Sequence, residues 1–155
     1  MSYQYQEQLR IGQRAEAQFI HWLDRRGYKV RPATVSEQFK GIDLWFEVPG
    51  RSWQSVELKE DNAAIRTGNA FIETVCTVAT GRRGWAYTCE ADWLIVSVRP
   101  QQYWIRPGLL APELDRWVAA YGERTVINDT GNTKGVPVPL DEIASLAAKV
   151  TSWVE

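Results

Sequence analysis

A short hairpin constrains this chain most. Leu44-Trp45-Phe46-Glu47-Val48 and Trp53-Gln54-Ser55-Val56 are runs rich in aromatic and β-branched residues, with Pro49-Gly50 between them. Such residues favour a pleated, half-buried surface. Pro49 and Gly50 suit the central positions of a type II turn, where Gly supplies the positive φ. The second run continues into Glu57-Leu58-Lys59, and Gly41-Ile42-Asp43 precedes the first. Alternate strand residues share a face, so Glu57 and Lys59 point one way and Leu58 the other. The hairpin brings the Asp43 carboxylate near Glu57. Two carboxylates and one ammonium at a sheet edge suit holding a hard divalent cation, Mg²⁺ or Mn²⁺, and cutting a phosphodiester.

Asp43, followed at hairpin spacing by Glu57-Leu58-Lys59, resembles the signature of the PD-(D/E)XK (restriction-endonuclease-like) nuclease superfamily. Ile42 stands where that signature usually has Pro. The resemblance implies an α/β fold with the core order αβββαβ, a mixed central β-sheet flanked by helices. C-terminal helices are added here, in one domain spanning residues 1–155. It implies a Mg²⁺- or Mn²⁺-dependent deoxyribonuclease, an endonuclease. Asp43, Glu57 and the Leu58 backbone carbonyl then bind the metal. Lys59 positions or deprotonates the attacking water, or stabilises charge on the phosphate.

Residues 6–26 are strong helix formers, with Leu9, Gly12, Phe19 and Leu23 recurring on one stripe. Glu16 lies on that stripe, with Ile20 one turn later. A carboxylate on an apolar face is costly unless paired or metal-bound. The superfamily often carries an extra Glu on this first helix near the metal, and Glu16 matches that role in position and type. The alternative is a pairing with a neighbouring Arg at the edge of the stripe. Gly27 ends the helix just after Arg25-Arg26, whose charges suit a helix C-terminus.

Further on, Tyr28-Lys29-Val30 reads as a short strand or edge segment, and residues 31–40 and 60–69 read as loops. Residues 70–78 are expected as a third strand, 85–91 as a short helix, and 93–98 as a buried strand. Tyr103-Trp104-Ile105 reads as a strand at the sheet's edge, 112–121 as a helix, and Thr125-Val126-Ile127 as a short strand. Residues 128–135 read as a mobile loop. A C-terminal helix is expected from Asp141 to Trp153, with Asp141 as N-cap. Thr67-Gly68-Asn69, Phe71-Ile72-Glu73 and Ala91-Asp92-Trp93 also resemble small phage-type, resolvase-like members. That likeness makes Glu73 an additional acidic residue near the site; the alternative is an ordinary solvent-facing strand position.

The length fits one domain with one core. Eight Trp are expected mainly in that core, with Trp53 or Trp85 as candidates for base stacking or a subunit contact. Cys76 and Cys89 form no CxxC pair and His21 cannot complete a zinc cluster, so free thiols in a reducing compartment are expected. No apolar run spans a bilayer and no signal-peptide pattern opens the chain, which points to the cytoplasm of a bacterial or phage-infected cell. The formal net charge of −1 argues against strong nonspecific DNA binding. Basic residues are nevertheless clustered, and Lys40, Arg66, Arg82 and Arg83 are candidates for DNA contact. The chain has no room for a separate recognition domain, which favours structure-specific cutting. Resolvase-like members act as dimers because they make paired cuts, so DNA and a second copy are the implied partners. The competing reading is a catalytically silent DNA-binding or assembly module on the same fold.

Overall fold

The computed structural model describes residues 3–127 and 131–154. Helix α1 spans Tyr3–Asp24 and stops where Gly27 takes a φ of +82°. The Arg26 guanidinium donates to the Trp22 carbonyl (3.2 Å), covering one of the helix's last acceptors. Strand β1 (Lys29–Pro32) follows, then a single turn, α2 (Val35–Gln38). Thr34 and Glu37 form a reciprocal capping box at the start of α2. Strands β2 (Leu44–Glu47) and β3 (Trp53–Glu60) make the expected hairpin. The Val48 carbonyl accepts from the Arg51 N–H (2.8 Å), and Gly50 supplies a φ of +75°.

Next come α3 (Ala63–Thr67), β4 (Asn69–Thr77), β5 (Arg82–Arg83) and α4 (Trp85–Thr88). They are followed by β6 (Trp93–Val98), β7 (Gln101–Ile105), a 3-10 turn at Pro107–Leu109, and α5 (Ala111–Tyr121). The chain closes with β8 (Arg124–Val126), β9 (Thr133–Pro139), α6 (Leu140–Leu146) and β10 (Lys149–Ser152).

The strands form two sheets. The larger has the order β1-β2-β3-β6-β7-β10; every neighbouring pair is antiparallel except β3 with β6, which is parallel. The smaller has the order β5-β4-β9-β8, antiparallel throughout. The protein is thus mixed α/β, with a mixed sheet flanked by helices. On one face of the larger sheet, Phe19, Trp22 and Leu23 of α1 pack on Leu44, Phe46, Val56, Leu58, Ile95 and Trp104. On the other, Leu94, Val96 and Ile105 meet Ala70 and Ile72 of β4, Val136 and Val138 of β9, and Leu114 and Trp117 of α5. Burying each large apolar side chain contributes about 1.5–3 kcal/mol. No described helix is long and apolar enough to cross a membrane.

Five expectations are corrected. The strand at 70–78 does not extend the sheet that holds the hairpin; it pairs with β9 in the second sheet. The helix expected at 141–153 breaks after Leu146, and Lys149–Ser152 pairs instead with β7. Val150 and Thr151 are β-branched and fit a pleated edge better than a helix. This addition moves β7 off the edge and covers Trp104, whose indole donates to Thr151 Oγ1 (2.7 Å). Of the loop expected at 128–135, residues 128–130 lie outside the described residues and Thr133–Gly135 belong to β9. Finally, Leu9 is 45% exposed, and the helix is buried instead through Ala15, Phe19, Trp22 and Leu23.

Candidate functional site

The hairpin places Asp43 one residue before β2, opposite the end of its pairing with β3. The last β2–β3 pair is Leu44 with Val56, and the Asp43 N–H continues the ladder by donating to the Val56 carbonyl (2.8 Å). Leu58 lies beyond that pairing, and its N–H donates to Asp43 Oδ2 (2.7 Å). The carboxylate therefore substitutes for the missing strand. Burial pushes the Asp43 pKa up, and Glu57 adds to the rise; the Leu58 N–H and Lys59 oppose it.

Glu57 and Lys59 share a face of β3, as period-2 alternation requires, and their side chains pair at 2.7 Å. Glu57 is 5% exposed. Its second oxygen, Oε2, is buried and finds no hydrogen-bond partner among the described residues. Burial lowers the Lys59 pKa, but the charges of Glu57, Asp43 and Glu73 and the Glu57 hydrogen bond outweigh it and hold the ammonium protonated. Gly41 closes in on this pair from the loop before β2. Its φ is +73°, and a Cβ there would stand 2.9 Å from Glu57 Oε2 and 3.3 Å from the Cys89 Cα. Only glycine meets both demands without displacing neighbours.

Glu16 comes from α1. It is half-buried, and its pKa is pushed up to about 7, by burial first and by Asp43 second, with Lys59 pulling the other way. Together Glu16, Asp43, Leu58 and Lys59 line a cleft of about 500 Å³, with Gly12, Glu60 and Asp61 beside them. Glu57 does not line this cleft; it stands behind Lys59. Among the described residues, no three His, Cys, Asp or Glu side chains form a ready-made cage for a metal ion.

Glu73 faces the same cluster. Burial raises its pKa; the Trp85 N–H (3.2 Å from Glu73 Oε1), Lys59 and Arg82 counter this, and Glu57 reinforces it. The Trp85 ring lies under Lys59, with the ammonium 5.8 Å from its centroid. Lys40, Arg66, Arg82 and Arg83 are all exposed and none lines the cleft. Arg83 stacks on Tyr87 (4.7 Å). Trp53 is 41% exposed, and His21 is exposed.

Three neighbours carry no signal in the local motif. The Cys89 thiol donates to the Gly41 carbonyl (3.7 Å), and burial and Glu57 push its pKa up, so it stays a neutral thiol. Asp61 ties the cleft wall together: one carboxylate oxygen accepts from the Ala64 N–H (3.0 Å) and the other from the Phe71 N–H (2.8 Å). The Arg99 guanidinium pairs with Glu60 (2.7 Å) and also reaches Gln18 on α1. The Asp61-Asn62-Ala63-Ala64 run is a helix-start pattern that could have flagged Asp61. Cys89 and Arg99 approach through tertiary packing. Comparison of the chain with family models, curated proteins and solved structures gave no match.

Proposed function

We propose that this chain is a metal-dependent nuclease that hydrolyses phosphodiester bonds in DNA, with structure-specific, resolvase-like cutting as its subclass. The observation that carries the reading is the surplus of carboxylates around one ammonium: Glu16, Asp43, Glu57 and Glu73 all interact with Lys59. Such a cluster is unfavourable on its own and is relieved by a cation. The order α1-β1-α2-β2-β3, in which α2 is a single turn, followed by parallel β6 supports the same reading, because the PD-(D/E)XK resemblance implies a core of that kind.

The donors fit a hard cation. They are oxygens, and Glu16, Asp43 and Leu58 line one cleft. Mg²⁺ takes one or two carboxylates and fills the rest of its shell from water and phosphate, so it needs no closed protein cage. Glu16, Asp43 and the Leu58 carbonyl would hold it from the cleft wall, with Glu57 behind them paired to the Lys59 ammonium. The bound ion supplies Lewis-acid polarisation of the scissile phosphate.

The chain's own residues do the rest. Lys59, held protonated, places positive charge where the phosphate accumulates negative charge. Glu16, on the cleft wall, would complete the ion's shell or hold one of its waters; as water attacks phosphorus and the bond to the leaving oxygen breaks, the attacking water's proton passes to solvent, which also protonates the leaving oxygen. Asp43, anchored by the Leu58 N–H, keeps its carboxylate at a fixed place on the cleft wall.

Cleavage of single-stranded, duplex, flapped and four-way-junction DNA with Mg²⁺, Mn²⁺ or EDTA tests the proposal, beside Asp43→Ala and Lys59→Ala. Metal-dependent cutting lost in both variants is the expected result, with the junction preferred. Cutting by Lys59→Ala at the wild-type rate, or no cutting of any substrate, overturns it.

A further inference from the structure

A second cleft, of about 460 Å³, opens at the other end of α1. Its walls are Trp22, Trp93 and Trp104, and three cations reach it from separate elements: Arg26 after α1, Arg51 in the β2–β3 turn and Lys149 in β10. Among the described residues no acidic side chain lines it. The indole N–H groups are spoken for, by the Ser152 carbonyl, Gln54 and Thr151 respectively. What these rings offer is their faces, and cations cover them. Arg26 sits 3.8 Å over Trp22, Lys149 sits 4.0 Å over Trp104, and Arg106 sits 3.6 Å over Trp93. Each stacking fixes where the positive charge stands.

Lys149 also lies 5.5 Å from the Trp93 ring that Arg106 covers, so two like charges share one aromatic platform. Burial and then Arg106 push the Lys149 pKa down. An anion beside Lys149 in the cleft, within reach of Arg26 and Arg51 on its other walls, offsets that repulsion. A carboxylate offers two acceptor oxygens in one plane, whereas a phosphate offers several in different directions, which suits cations converging from separate elements.

We propose that this cleft is a phosphate-binding site, remote from the carboxylate cleft and independent of the nuclease reading. Along β3, Gln54 at this site and Lys59 at the other are separated by roughly 17 Å at about 3.4 Å per residue. The phosphate belongs either to a free mononucleotide or to the backbone of a DNA strand, and the test separates the two.

The test uses the full chain in EDTA, so that no divalent ion bridges phosphate to the carboxylates. Tryptophan fluorescence and calorimetry follow titration with inorganic phosphate, deoxyadenosine 5′-monophosphate, adenosine, acetate and a short single-stranded oligonucleotide. Phosphate and the monophosphate are expected to bind, and adenosine and acetate are not. Lys149→Ala, with its melting curve unchanged, is expected to weaken phosphate binding roughly tenfold, the loss of one charge-assisted hydrogen bond. Arg51→Ala, an exposed turn position, is the second variant and is expected to act in the same direction. An oligonucleotide weakened by the same factor identifies the DNA backbone as the source; one unaffected while the monophosphate weakens identifies the free nucleotide. A wild-type protein that ignores phosphate, or binding that both variants leave unchanged, overturns the proposal.

Discussion

Glu16→Gln should make the protein more stable, and only above a certain pH. The Glu16 carboxyl in the folded chain has a pKa of about 7 against an ordinary 4.5. Below pH 4.5 it is protonated whether the chain is folded or not, and its full contribution is present. Between pH 4.5 and 7 the unfolded chain releases the proton while the folded chain keeps it, so stability falls as pH rises and levels off above the folded pKa. At about 1.36 kcal/mol per tenfold change in proton affinity, the gap corresponds to roughly 3.4 kcal/mol for a fully buried group. Glu16 is only half-buried, and solvent screening reduces this to about 1–2 kcal/mol. Glutamine keeps the shape and does not titrate. Urea unfolding of both proteins in EDTA, at intervals from pH 4.5 to 8, gives the difference directly; the other raised carboxylates, Asp43 and Glu73, are common to both and largely cancel. The advantage of Glu16→Gln should grow by about 1–2 kcal/mol across that range. Saturating Mn²⁺ at pH 8 should then stabilise the wild type more than the variant, by mass action on the folded state. Parallel pH profiles in EDTA would refute the claim that Glu16 is held against its ionisation.

Two further variants probe the scaffold under the site. Gly41→Ala forces a side chain into a positive-φ position and against Glu57 Oε2; a loss of about 2 kcal/mol or more is expected in urea unfolding, beyond the roughly 1–2 kcal/mol for the backbone alone. Asp61→Ala orphans the N–H groups of Ala64 and Phe71 together; it should cost about 2 kcal/mol and speed amide exchange at both.

What was legible in the sequence was local. The Pro49-Gly50 turn, the alternation through Glu57-Leu58-Lys59 and the periodic stripe around Phe19 and Leu23 depend on neighbours a few residues away, and each forms as expected. Asp43, Glu57 and Lys59 converge for the same reason, and Glu16 joins them from the buried side of its helix. The second sheet was not legible. Its backbone partner for Phe71 is Pro137, in a segment whose Val136-Pro137-Val138-Pro139 pattern carries two breakers. Neither residue says anything about the other. The last helix failed where Lys149–Ser152 found an open strand edge, β7, that local propensity could not foresee. Which way Glu73 faces depends on a strand register that its neighbours in sequence do not set, and pairing with β9 turns it toward Lys59.

Strand β3 is also a seam between two kinds of neighbour. On one side it meets β2 across a tight turn; on the other it meets β6, reached only after α3, β4, β5 and α4. Loop closure is cheap for the first pairing and slow for the second. Asp43 and Glu57 can therefore be neighbours in an early hairpin, while the burial that raises the Asp43 pKa awaits the complete sheet. The two hairpin carboxylates are then desolvated only as β6 docks, so their electrostatic penalty falls on that step rather than on hairpin formation.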